Sequence, residues 1–167
     1  ALLAFLYLYV YHNVMTNPRF SMYYDDAKSF LGLTQKKYDI IISEPSNPWV
    51  AGIGVLFSRE YFELCKTRLN PQGIMIQWFH RYEMNDDIFQ VVLRTFQNSF
   101  PFIYGFHGNY SDFIMLGSME PLHYDAERFQ KLFAQPEIAS DLKRLGIESP
   151  LALLMFQSHS PETVFQM

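Results

Sequence analysis

The sequence contains one cysteine, Cys65, in 167 residues. A single thiol can form neither an intrachain disulfide nor a cysteine metal cluster, so a disulfide-stabilised secreted scaffold and a zinc ribbon are both excluded. A reducing compartment is therefore expected. Cys65 lies in the middle of a predicted helix, where a small core residue is the simplest interpretation.

Basic residues are also scarce, with 13 Lys and Arg against 17 Asp and Glu and a formal net charge of -4. Proteins that bind nucleic acid present a clustered positive surface to the phosphate backbone, so no nucleic-acid partner is expected. The five histidines include no pair at the spacing of metal ligands on one helix, and no metal site is predicted.

Residues 1–10 (ALLAFLYLYV) are apolar, but this run is too short to cross a bilayer, which takes about 20 residues. It also has neither the basic start nor the small-residue cleavage site of a signal peptide. Two interpretations stay open for this run. It is either a buried helix that begins within a domain or the end of a longer apolar segment upstream of Ala1.

Apolar residues make up 49% of the chain and include 16 Phe and 11 Tyr. Aromatic side chains bury a large area each, so one domain with a sizeable core is expected. Predicted helices and strands alternate along most of the chain, which is typical of an α/β fold with a mostly parallel sheet. A short polar connection between the last two strands predicts an antiparallel C-terminal hairpin.

Three consecutive isoleucines, at positions 40–42, predict a central parallel strand that is buried on both faces. Ser58 and Asn85 are expected to cap the helices that follow them. The helix after Asn85 is expected to bury Ile88, Val91, Val92 and Phe96. The full set of predicted elements is helices over 1–11, 25–31, 59–69, 86–99, 125–134, 136–145 and 150–157, and strands over 19–24, 38–43, 74–79, 102–106 and 113–117.

Polar groups follow three of the predicted strands. Asp25 and Asp26 follow the first strand, a loop that starts at Glu44 follows the second, and Gln77 stands near the end of the third. Open α/β sheets bind ligands beyond the carboxyl ends of their strands, so these residues are the candidates for chemistry.

Residues 38–57 read YDIIISEPSNPWVAGIGVLF, and this segment resembles the spermidine synthase family, whose members have an acidic loop after the corresponding strand. It is most similar to the bacterial spermidine-synthase-like proteins that carry a Ser-Glu-Pro-Ser-Asn-Pro-Trp loop and are often fused behind membrane segments. Weaker matches are His12-Asn13-Val14, Asp25-Asp26-Ala27, Pro71-Gln72-Gly73, Gln77-Trp78 and Leu145-Gly146-Ile147.

The resemblance implies a Rossmann-like class I methyltransferase fold that is truncated at its N-terminus. Residues 1–120 would form the C-terminal part of a nucleotide-binding domain, and residues 121–167 a helical C-terminal extension. The first strand, its Gly-rich nucleotide loop and the acidic residue for the ribose hydroxyls would lie upstream of Ala1. The chain alone is therefore expected to bind nucleotide poorly and to expose apolar surface.

The resemblance also implies aminopropyl transfer from decarboxylated S-adenosylmethionine to a small amine, as in polyamine biosynthesis. Glu44 matches the family's catalytic aspartate, which would accept a proton from an acceptor amine with a pKa of roughly 10. Asn47 matches a second acidic position, so one carboxylate is missing here. Ser46, Gln77 and Trp49 are the other implied acceptor-pocket residues.

Asp25 matches the acidic residue that accepts a hydrogen bond from the adenine amino group, and Asp26 and Ala27 share its turn. These three are the implied nucleotide-binding residues, and the implied co-substrate is decarboxylated S-adenosylmethionine or S-adenosylmethionine, without a metal. The family's frequent dimers imply a homodimer. The implied location is the cytoplasm, with a membrane tether where an apolar segment precedes the domain.

Structural alternatives stay open for five of these residues. Glu44 is then a loop carboxylate, Asn47 a turn residue, Asp25 a helix N-cap, Gln77 a polar group that satisfies the backbone and Trp49 a core residue. Two other functions also stay open on the same fold. One is S-adenosylmethionine-dependent methyl transfer, and the other is a catalytically inactive binding or scaffolding domain.

Overall fold

A computed structural model describes residues 16–45, 48, 50–80, 85–108 and 111–159. The helix predicted over residues 1–11 lies outside the described residues. In chain order, the described elements are α1 (Ala27–Leu33), β1 (Tyr38–Ser43), a 3-10 helix (Ile53–Phe57), α2 (Arg59–Arg68), β2 (Leu69–His80), α3 (Asp86–Gln97), β3 (Phe102–His107), β4 (Asp112–Ser118), α4 (Ala126–Phe133), α5 (Pro136–Arg144), α6 (Pro150–Leu154) and β5 (Gln157–His159).

The five described strands form one mixed sheet in the order β1-β2-β4-β3-β5. β1 and β2 are parallel, whereas β4 is antiparallel to both β2 and β3, and β5 is antiparallel to β3. The α/β class and the antiparallel C-terminal hairpin are confirmed. Within the described part, parallel pairing is confined to β1 and β2, because β4 inserts between β2 and β3, so the sheet is mixed and not mostly parallel.

The turn over residues 70–73 lies inside β2 as a bulge. Tyr38 pairs with Leu69 and Ile40 pairs with Ile74, so the four intervening residues of β2 face one residue of β1. Gln72 adopts a φ of 64° in this bulge. The bulge allows α2 to run directly into β2 while the two parallel strands recover their register before their carboxyl ends.

One face of the sheet is covered by α2 and α3, and this core face contains Ile41, Ser43, Met75, Gln77 and Phe79. Several phenylalanine rings pack edge to face or tilted between the sheet and the two helices. The fully buried rings belong to Phe62, Phe79, Phe96 and Phe100.

Gly117 shows how tightly this core is packed. A Cβ atom there would lie 2.6 Å from Cγ of Phe100 and 2.8 Å from Cε1 of Phe96. Both rings are fully buried, so neither can move away without displacing its neighbours. β4 therefore requires glycine where it passes under α3.

The opposite face of the sheet, here called the second face, contains Ile40 and Ile42 of β1 and Ile76 and Trp78 of β2. Ile40 and Ile42 are 54% and 66% exposed, so the prediction that the isoleucine run is buried on both faces is wrong for the described residues. β1 is the outermost described strand, and its second face lacks a covering helix among the described elements. This exposure agrees with the expectation of uncovered apolar surface.

The buried face of α3 also differs from the predicted one. Phe89, Val92, Leu93 and Phe96 are buried, whereas Ile88 and Val91 are exposed. Val92 and Phe96 are buried as predicted, and the other two positions are shifted by one or two residues, which corresponds to a small rotation of the helix. The larger side chains of Phe89 and Leu93 fill the core better than Ile88 and Val91 would.

Two smaller elements differ from the predictions. Residues 19–24 form no strand, because a turn at residues 18–19 leads into an extended segment that ends at the cap of α1. The last predicted helix stops at Leu154, and Gln157 begins the short strand β5. The caps at Ser58 and Asn85 are confirmed, since their side chains accept hydrogen bonds from the backbone N–H groups of Tyr61 and Ile88.

No helix in the described part of the chain is both long and apolar enough to cross a membrane.

Stability is expected to fall above about pH 9, because the buried face of α2 contains two weak acids, Tyr61 and Cys65. Burial raises the pKa of the Cys65 thiol from 9.0 to about 12, and burial next to Cys65 raises the pKa of the Tyr61 hydroxyl above its ordinary value of 10.0. The unfolded chain therefore releases these protons first as the pH rises. The free energy of unfolding should decrease by up to about 1.4 kcal/mol per pH unit for each group.

Chemical denaturation between pH 8 and pH 11 measures this slope. Cys65→Ala removes one of the two acids and should give a shallower decline than the wild-type chain. An identical slope in both proteins would show that the thiol does not titrate as its burial requires.

Candidate functional site

The carboxyl ends of β1 and β2 lie side by side, with Ser43 paired to Gln77. Both side chains are buried on the core face. Glu44 follows Ser43 immediately, lies outside the strand and is exposed. The structure therefore places the predicted catalytic carboxylate at the end of β1, where solvent and ligand can reach it. Ser46, Asn47 and Trp49 lie outside the described residues.

Gln77 is fully buried, and its amide is only partly satisfied. Nε2 donates a hydrogen bond to the backbone oxygen of Trp78 at 3.1 Å, and Oε1 has no hydrogen-bond partner among the described residues. A buried acceptor without a donor is unfavourable by about 1–3 kcal/mol. The Oε1 atom is therefore a group that a donor from a ligand, a water molecule or the following loop would stabilise.

Replacing Gln77 by methionine is expected to raise the free energy of unfolding by about 1 kcal/mol, because the change removes a buried acceptor and keeps the side-chain volume. Thermal and urea denaturation of the unliganded protein measure the effect. Ser118→Ala serves as the matched control: the Ser118 hydroxyl is also buried, but it donates to the backbone oxygen of Glu120 at 2.7 Å. That control should destabilise the chain. A destabilised Gln77→Met variant would mean that Oε1 is satisfied in the folded chain.

The predicted nucleotide-binding turn precedes α1. Asp26, not Asp25, is the N-cap, and its carboxylate accepts a hydrogen bond from the backbone N–H of Ser29 at 2.8 Å. This hydrogen bond lowers the pKa of Asp26. Asp25 accepts a hydrogen bond from the N–H of Asp26 at 2.8 Å and is exposed. The alternative that Asp25 is the cap of α1 is therefore wrong.

A groove of about 340 Å³ lies beside this turn, between α1 and the outer edge of β1. Ala27 lines it, together with the aromatic side chains of Tyr23, Phe30 and Tyr61. Of the three predicted nucleotide-binding residues, only Ala27 lines this apolar groove, and Asp25 and Asp26 precede it in the chain. The size and composition of the groove suit a flat aromatic group.

A histidine–carboxylate pair lies at the same end of the sheet. His80 and Asp112 face each other in the register of β2 and β4, with Nδ1 of His80 2.5 Å from Oδ1 of Asp112. The rings of His80 and Trp78 are 4.0 Å apart in an edge-to-face arrangement. Both members of the pair are partly buried.

Sequence reasoning missed this pair because its members are 32 residues apart and belong to strands that are not consecutive in the chain. The available signal was the position of each residue, since His80 directly follows the strand predicted over 74–79 and Asp112 directly precedes the strand predicted over 113–117. Among the described residues, no group of three or more His, Cys, Asp or Glu side chains is arranged to hold a metal ion.

Residues 6–109, more than half of the chain, match the family model of the spermine/spermidine synthase domain. The chain belongs to the spermine/spermidine synthase family. Among curated relatives, it is 40% identical to the polyamine aminopropyltransferase of Alkaliphilus metalliredigens over 62 residues, which are 37% of this chain and 22% of that protein. It is 35% identical to polyamine aminopropyltransferase 1 of Pseudomonas aeruginosa over 60 residues, 36% of this chain and 21% of that protein.

The chain thus spans about a fifth of these relatives in sequence. Solved structures share the fold over a larger part of the chain. A spermidine synthase in complex with the transition-state analogue AdoDATO superposes with a TM-score of 0.60 at 18% identity, covering 86% of this chain and 57% of that one. Human methyltransferase-like protein 13 in complex with SAH gives a TM-score of 0.56 at 18% identity, covering 88% and 68%. The Rossmann-like methyltransferase fold is therefore shared with both.

Proposed function

We propose that this chain is the acceptor-side part of an aminopropyltransferase, which moves an aminopropyl group from decarboxylated S-adenosylmethionine to an amine. The observation that carries the proposal is the place of Glu44, an exposed carboxylate directly after β1 and within the region that matches the family. Ligands of open α/β sheets bind beyond the carboxyl ends of the strands, and Glu44 stands at such an end.

The chemistry of the transfer needs one group of this kind. The nitrogen lone pair of the acceptor attacks the carbon next to the sulfonium, a C–N bond forms, and the C–S bond breaks with its electrons returning to sulfur. Methylthioadenosine leaves as a neutral thioether. The acceptor is an ammonium ion at neutral pH, so its proton must first move to a base, and the Glu44 carboxylate would receive it and hold the amine in line.

The donor would occupy the β1 side of the site. The aromatic groove lined by Ala27, Tyr23 and Phe30 supports this assignment, since it suits an adenine ring. Asp25, two residues before Ala27, is proposed to accept a hydrogen bond from the adenine amino group. Asp26 would contribute indirectly, because it caps α1 and so holds this turn in place. Ser46, Asn47, Trp49 and the unpartnered amide oxygen of Gln77 are proposed for the acceptor side.

We also propose that residues 1–120 are the C-terminal part of a nucleotide-binding domain and that residues 121–167 extend it. The end of the family match at residue 109 supports a boundary in this region. A homodimer, and a membrane segment upstream in the complete protein, are proposals that follow from the family alone.

Methyl transfer is the second candidate. Its support is Asn47, since the loss of a carboxylate at this position removes one charge that would attract a polyamine. The structural likeness to a methyltransferase is as extensive as that to spermidine synthase, so the fold alone favours neither reaction.

Calorimetry on the protein as its complete gene encodes it tests the proposal. Methylthioadenosine should bind more tightly than S-adenosylhomocysteine, because a donor site built for the decarboxylated substrate offers no partner for the extra carboxylate. Tighter binding of S-adenosylhomocysteine would favour methyl transfer. Binding of neither nucleoside would favour an inactive scaffolding domain.

A further inference from the structure

An apolar cavity of about 430 Å³ lies on the second face of the sheet, away from α2 and α3. The sheet provides one wall and the C-terminal segment around α6 provides the other. The hydrocarbon lining comes from Ile76, Ile114 and Leu116 on the sheet and from Ile147, Leu153 and Phe156 on the C-terminal segment.

The cavity runs toward the carboxyl end of β2. Trp78 pairs with the cavity residue Ile114, and His80 pairs with Asp112, two residues further along the same strands. Side chains two residues apart on one strand share a face and stand roughly 7 Å apart. The His80–Asp112 pair therefore lies at the end of the cavity that is nearest to the predicted reaction site.

Glu44 belongs to the same end of the sheet. It follows Ser43 as Trp78 follows Gln77, and Ser43 and Gln77 are register partners. The His80–Asp112 pair and Glu44 thus lie at the same end of the sheet. The cavity under α6 adjoins the pair, because Gly108, which lines it, donates a backbone hydrogen bond to the backbone oxygen of Asp112 at 3.1 Å. His107 also lines the cavity at this end.

The site has a charged end and an apolar end, so it distinguishes amines with one charge from amines with two. The Asp112 carboxylate at one end suits one ammonium group, whereas the walls of the cavity offer hydrocarbon to the tail of an amine. An alkyl or aromatic tail would gain from leaving water. A second ammonium at the far end of a diamine would lose its hydration without gaining a counter-charge among the described lining residues.

We propose that this site binds a primary monoamine with an apolar tail, the amine at the His80–Asp112 edge and the tail in the cavity under α6. The amine is the acceptor of the transferase, an assignment that rests on the proposed function. Asn47, where the family has an acidic residue, is consistent with an acceptor that carries one charge.

The first test is a binding series on the protein as its complete gene encodes it, measured by calorimetry. Hexylamine should bind at least about tenfold more tightly than 1,6-diaminohexane, which has the same length and a second charge. Affinity should also rise by up to about fourfold per methylene from butylamine through hexylamine to octylamine. A flat series, or a diamine that binds as tightly as the monoamine, would overturn the proposal.

Two substitutions locate the binding. Leu153→Trp fills part of the cavity and should abolish the dependence of affinity on chain length. Asp112→Asn should weaken hexylamine about tenfold, and the matched control Glu137→Gln, an exposed carboxylate of α5, should leave it unchanged. Each variant is checked by its melting curve. If a variant does not fold, the amine series measured on the wild-type protein still tests the proposal.

The failure of this inference differs from the failure of the proposed function. Transfer of the aminopropyl group to a polyamine, together with a flat monoamine series, would leave the function standing and overturn the acceptor class. Chain-length-dependent binding of monoamines without transfer from any donor would keep the binding site and overturn its assignment as the acceptor site.

Discussion

Replacing Glu44 by glutamine is expected to lower kcat for aminopropyl transfer about 100-fold to 10,000-fold, the range typical of removing a positioned general base. The substitution keeps the shape and polarity of the side chain and removes only its capacity to take a proton. The KM for decarboxylated S-adenosylmethionine should stay the same, because the donor is assigned to the groove between α1 and β1, which Glu44 does not line. Steady-state kinetics with saturating amine measure both quantities.

Two controls make this result specific. Glu60→Gln changes another exposed glutamate, in the first turn of α2, and should leave kcat unchanged. The deficit of Glu44→Gln should also shrink as the pH approaches the acceptor's pKa of roughly 10, because the amine then loses its proton to water. A deficit that is constant across pH would assign Glu44 a structural role.

Phe96→Ala is expected to reduce the free energy of unfolding by about 3–5 kcal/mol. The ring is fully buried and lies between two others, with its centroid 5.0 Å from that of Phe62 and 4.9 Å from that of Phe100. Its loss leaves a cavity that the sheet beneath cannot fill, because the close approach of Gly117 holds β4 in place. Urea denaturation measures the change.

Val91→Ala is the matched control, since it removes an apolar side chain from the same helix at a position that is 63% exposed. Its effect should be within about 0.5 kcal/mol. Equal effects of the two substitutions would mean that α3 packs with the face that its sequence pattern first suggested, with Val91 toward the sheet.

The elements that sequence reasoning placed well are those with strong local signals. The strand Tyr38–Ser43 has an apolar run between polar ends, and α2 and α3 each begin at a side chain that caps the helix. The hairpin of β3 and β4 was also recoverable, since both strands alternate around one short polar connection. Local chemistry decides these features, so one sequence is sufficient to identify them.

The burial of side chains was less predictable, because it depends on what covers each face. The isoleucine run of β1 has the composition of a strand covered on both sides, yet Ile40 and Ile42 are exposed among the described elements. The prediction of which face of α3 is buried was wrong for a related reason. A helix with apolar residues over half its circumference does not specify which half meets the sheet.

Some residues of the candidate site could likewise be placed from the sequence, and others could not. Glu44 and Gln77 could be placed from the sequence because Glu44 follows one predicted strand and Gln77 stands near the end of another, and the structure pairs Ser43, the residue before Glu44, with Gln77. The His80–Asp112 pair required the register between β2 and β4, which are separated by α3 and β3 in the chain. The cavity under α6 required the packing of the C-terminal segment, for which the sequence has no local signal.

The most direct test of the proposed reaction is the identity of its nucleoside product. The complete protein is given equal amounts of decarboxylated S-adenosylmethionine and S-adenosylmethionine with a mixture of putrescine and hexylamine, and the products are separated and identified by mass spectrometry. Aminopropyl transfer predicts methylthioadenosine, an acceptor that has gained an aminopropyl group, and loss of both with Glu44→Gln. S-adenosylhomocysteine and a methylated amine, or no nucleoside product at all, would contradict the account.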